Sequence, residues 1–76
     1  MDSLSLESAI SVAHARLLDA EERLHRVKRE RPDGRDAEAV TLWMIASMDA
    51  QTRLSEEMRS LAVLQMRALQ YLRKES

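Results

Sequence analysis

Two runs of residues at heptad spacing, one on either side of a single turn, limit this chain to very few folds. Ile10, Ala13, Leu17, Ala20, Leu24 and Val27 alternate steps of three and four before the turn. Val40, Met44, Ser47, Gln51, Leu54, Met58 and Leu61 do the same after it. Such spacing lays one narrow apolar stripe along a helix and requires a second helix to cover it. The two runs also share a register. If the chain folds back at Pro32 to Arg35, Val27 meets Val40, Leu24 meets Met44, Ala13 meets Leu54, Ile10 meets Met58 and Leu6 meets Leu61. The expected fold is all-α: an antiparallel two-helix hairpin, coiled-coil-like, over residues 1–76 as a single unit. The middle of its seam is weak. Ala20 faces Ser47 and Leu17 faces Gln51, and polar seam residues fix register at a cost in stability.

Local punctuation sets the element bounds. Ser3 or Ser5 is a good N-cap for helix 1, with Glu7 placed in the first turn where the helix dipole favours an anion. That helix is expected over about 4–30. Pro32 pushes the preceding residue out of the helical region, Gly34 can adopt a left-handed conformation, and Lys28, Arg29 and Arg31 complement the negative helix end. After a turn over 31–35, Asp36, or failing it Asp33, caps helix 2, which meets no breaker over about 36–74. Helix 2 is thus longer than helix 1, by a length on the order of 15 Å at about 1.5 Å per residue.

The surplus length is apolar. Of the 12 residues from Leu61 to Leu72, nine are apolar and lie all round the helix, which is the pattern of a buried helix. Leu64, Met66, Leu69, Tyr71 and Leu72 therefore have no facing residues in helix 1 and are expected to meet a partner. A second surplus surrounds Met44 near the turn, where Leu42, Trp43, Ile45 and Met48, with Leu18 of helix 1, exceed what one stripe can cover. Two helices bury one face each, so a lone hairpin of 76 residues sits near the threshold of independent stability. The partner expected is another helical protein, a chaperone or a filament subunit, with a homo-oligomer as the alternative. Methionines at Met48 and Met66 suit an adaptable contact surface.

Other functions find little support. The chain has no cysteine, and therefore neither a disulfide nor a thiolate metal site. His14 and His25 are roughly 16 Å apart along a helix, too far to share an ion. Glu22 and His25 have the spacing of a carboxylate-bridged metal motif, but helix 2 offers no acid at that level. Arg23, Arg26, Lys28, Arg29, Arg31 and Arg35 make a basic tip, yet no aromatic residues interleave to stack bases, and the net charge is -1. Nucleic acid is not expected as a partner. With no catalytic constellation, no Gly-rich phosphate loop and no concave pocket in a hairpin, the chain is not expected to be an enzyme or to hold a cofactor. The longest apolar block, Leu42 to Ala46, is too short to span a bilayer, and no signal peptide precedes it, so a cytoplasmic location is expected.

The segment Gly34-Arg35-Asp36-Ala37-Glu38-Ala39-Val40-Thr41-Leu42-Trp43 resembles the small E-type component of bacterial type III secretion systems. The likeness lies in the chain length, the glycine-containing central turn, the Asp-Ala start of helix 2 and the Trp seven positions after Asp36. It implies a cytoplasmic co-chaperone that pairs with a larger helical-repeat chaperone and keeps the needle subunit monomeric. Needle and inner-rod subunits of the same machine are similar hairpins with a Pro-containing turn, so a structural subunit is the alternative that the resemblance implies. The charged ending Arg73-Lys74-Glu75-Ser76 differs from the apolar tail of needle subunits.

Overall fold

A computed structural model describes the backbone of residues 3–75 and the side chains of residues 5–74; Ser76 of the charged ending lies outside them. Helix α1 spans Ser3–Arg29 and helix α2 spans Ala37–Glu75, packed antiparallel, with α2 the longer at 39 residues against 27. The molecule is a rod of 61 × 14 × 14 Å.

The helix ends follow local chemistry. Asp36 caps α2: its Oδ1 accepts hydrogen bonds from the backbone N–H of Glu38 at 3.1 Å and of Ala39 at 3.2 Å. Those N–H groups have no partner within the helix, which is why a carboxylate is favoured there. Glu38 follows in the first turn. Because α1 starts at Ser3, Glu7 falls beyond its first turn, contrary to expectation. At its other end α1 finishes with the Glu30 N–H shared between the carbonyls of Arg26 and Val27, at 3.1 and 3.2 Å. Gly34 does not take the left-handed conformation expected of it. No described glycine has a positive φ, and the 3.4 Å bond from the Asp36 N–H to the Asp33 carbonyl closes the turn without one.

Each helix buries one stripe. On α1, Leu6, Ala13, Ala20 and Leu24 are buried, with Ile10, Leu17 and Val27 half-buried between them. On α2 the stripe runs Val40, Trp43, Ser47, Ala50, Leu54, Glu57, Leu61, Leu64, Ala68 and Tyr71, of which Ala50 and Leu61 are buried and the rest half-buried. This corrects the expected seam. Met44 and Met58 are 53% and 56% exposed, Gln51 is exposed, and Trp43, Ala50 and Glu57 take their places. The exchange turns α2 by about 50° around its axis. Two contacts account for it. The Trp43 indole N–H donates to the Val27 carbonyl at 2.7 Å, and Ala50, 3% exposed, lets the helices approach closely where a longer side chain would hold them apart.

Candidate protein-interaction face

The turn of α2 sorts its apolar residues into two groups. Trp43, expected to meet a partner, belongs to the hairpin instead: it is half-buried, bonded to Val27, and lies under the Arg31 guanidinium, 5.5 Å from the ring centroid. Leu64 and Tyr71 likewise continue the seam. They are half-buried, and Tyr71 shares a hollow with Leu6, Arg67, Gln70 and Lys74, so the expectation that they lack any cover from the first helix does not hold.

The remaining candidates are exposed. Met66, Leu69 and Leu72 stand out from the far end of α2, and Leu42, Ile45 and Met48 from the near end, with Met48 the most exposed at 68%. Leu18 is exposed on α1. Leu42, Ile45 and Met48 fan over roughly a third of the helix circumference and do not make one compact patch.

A longer feature unites part of this set with residues the seam released. Thr41, Met44, Met48, Gln51 and Ser55, continued by Met58, Ala62, Gln65, Leu69 and Leu72, again alternate steps of three and four, and all are exposed. None carries a charge, although charged residues make up 33% of the chain. At about 1.5 Å per residue this second stripe is on the order of 45 Å long, and it lies about 100° around α2 from the buried one. Met48, Gln51, Thr52 and Ser55 line a shallow depression along it. Reading α2 for a single stripe hides it. The signal that reveals it is a second uncharged run with the same period.

Surface area makes the same point. The chain exposes 6310 Å² at a mass of 8.7 kDa, whereas a compact monomer of that mass exposes roughly 4700 Å². Among the described residues buried side chains are few and small, three of the six being alanines. An extended hairpin with this many exposed apolar residues suggests a partner-binding surface.

Three arginines near the turn are engaged locally. Arg26 pairs with Glu22 at 3.2 Å and Arg35 approaches Asp33 at 4.0 Å, both exposed, while Arg31 covers Trp43. His14 and His25 are exposed, and no group of three metal-ligating side chains converges among the described residues. No helix there is long and apolar enough to cross a membrane. Set against known protein families, curated proteins and solved structures, the chain finds no match.

Proposed function

We propose that this protein is a non-enzymatic interaction module whose second helix is covered by another helical protein, and that it acts as a type III secretion co-chaperone in the cytoplasm. In that role it binds a larger helical-repeat chaperone and helps keep the needle subunit monomeric. The observation that carries the general reading is the uncharged, exposed stripe from Thr41 to Leu72 on a hairpin with little core of its own. A surface of this kind is an association site. The specific role draws on the likeness of the Gly34–Trp43 segment to the E-type components and on the unequal helices.

Coexpression tests it. The chain, a helical-repeat chaperone and a needle subunit from the same secretion system should copurify as one soluble complex, and omission of the chain should let the needle subunit polymerise. A needle subunit equally monomeric without this chain would refute the co-chaperone role. Sedimentable filaments of the purified chain alone would instead identify a structural subunit.

A further inference from the structure

The uncharged stripe of α2 matches its own copy in one register, and we infer that the protein forms an antiparallel two-fold dimer through it. The stripe has the same alternating spacing as the hairpin seam, so two copies running in opposite directions can interdigitate as α1 and α2 do. In the centred setting Met44 lies opposite the second copy's Leu69, and Ser55 opposite its Met58. Between these pairs Met48 faces Gln65 and Gln51 faces Ala62, so each long side chain near the axis meets a small or an uncharged polar one.

Residues of the outer flanking row, the inner one being packed on α1, select this setting. They bring Glu38 beside the second copy's Arg73 and Ile45 beside its Met66. Opposite charges meet, and so do exposed apolar residues. A slip of one heptad in one direction sets Arg59 against its own copy and Ile45 against Arg73. The opposite slip sets Ile45 against Arg59 and Met66 against Glu38. Each slip places an apolar side chain against a charge, and one adds a like-charge contact.

The placement of the two stripes on α2 fits the same operation. Because stripe and seam lie about 100° apart on α2, each α2 contacts its own α1 on one side and the second α2 on the next, which is the corner geometry of a four-helix bundle.

This dimer uses the stripe that the proposed function gives to another helical protein, so it is the state of the purified chain and gives way when that partner binds. Light scattering with size exclusion at micromolar concentration should give twice 8.7 kDa. Met58→Glu should raise the dissociation constant at least about tenfold, because it places carboxylates beside the axis. Met58 is exposed within one hairpin, so the variant should keep its helical circular dichroism. Direction is read by cross-linking, as the chain has no cysteine of its own. With a short thiol-reactive linker, Met44→Cys and Leu69→Cys chains should cross-link when mixed and not when separate. A monomeric or larger wild-type species, a Met58→Glu dimer of unchanged affinity, or like-with-like cross-links would overturn the inference. A dimer of the purified chain with failed copurification would refute the co-chaperone reading alone, and a monomer that still copurifies would refute the dimer alone.

Discussion

Trp43 fastens the closed end of the hairpin, and it does so with a single polar atom. Its N–H reaches the Val27 carbonyl at 2.7 Å, in the last turn of α1 where carbonyls run short of helical donors. Trp43→Phe keeps an aromatic ring under Arg31 but removes the donor, and should lower stability by about 0.5–1.5 kcal/mol. Thermal unfolding followed by circular dichroism reads the change, and an unaltered midpoint would mean that the bond contributes nothing. Gly34 works in the opposite direction. Its φ is not positive, and an added Cβ would meet nothing within 4 Å. Gly34→Ala should therefore stabilise the fold by about 0.4–1 kcal/mol, chiefly by restricting the unfolded chain. A lower melting midpoint would show that the turn needs left-handed conformations after all.

At the scale of the element, α2 carries two heptad stripes and has to choose which one to bury. The helices themselves, their direction, the Asp36 cap and the longer second helix were legible because they depend on period and on local punctuation. The rotation of α2 was not. Val40, Ser47, Leu54 and Leu61 belong to either arrangement, and hydropathy alone favours Met44 and Met58 over Trp43 and Glu57. The decision rests on contacts between the helices, which no property of α2 alone encodes. The same blindness hid the half-burial of Leu64 and Tyr71. Burying this stripe leaves two polar residues in the seam: Ser47, whose Oγ is buried without a hydrogen-bond partner, and half-buried Glu57. Glu57 shares a hollow with Arg16, Asp19 and Arg53. Glu57→Leu should gain about 1 kcal/mol, since half-burial of a leucine yields part of the apolar transfer energy. In the alternative rotation the same change would leave the denaturation midpoint unmoved, so urea unfolding distinguishes the two.

For the whole molecule the deciding fact is the mismatch between a thin core and a large apolar exterior. Two helices joined by one turn leave the hairpin near the limit at which a chain of this size is stable alone, and association then adds directly to its stability. The far end of α2 is the place to test this. Leu69 and Leu72 are 55% and 62% exposed, so charges there are solvated in the isolated hairpin and should cost it little. In any assembly that covers the stripe they become buried, and each leucine so covered is worth about 1.5–3 kcal/mol. A carboxylate in its place would lose that energy and add a desolvation penalty. Leu69→Asp combined with Leu72→Asp should therefore abolish association, with a heterologous chaperone or with a second copy, while the circular dichroism of the separated chain stays helical. Size exclusion and copurification on the same preparation read both properties together. Association that survives the double substitution would move the interface toward the exposed apolar side chains nearer the turn, Leu42, Ile45 and Met48, with Leu18 of α1.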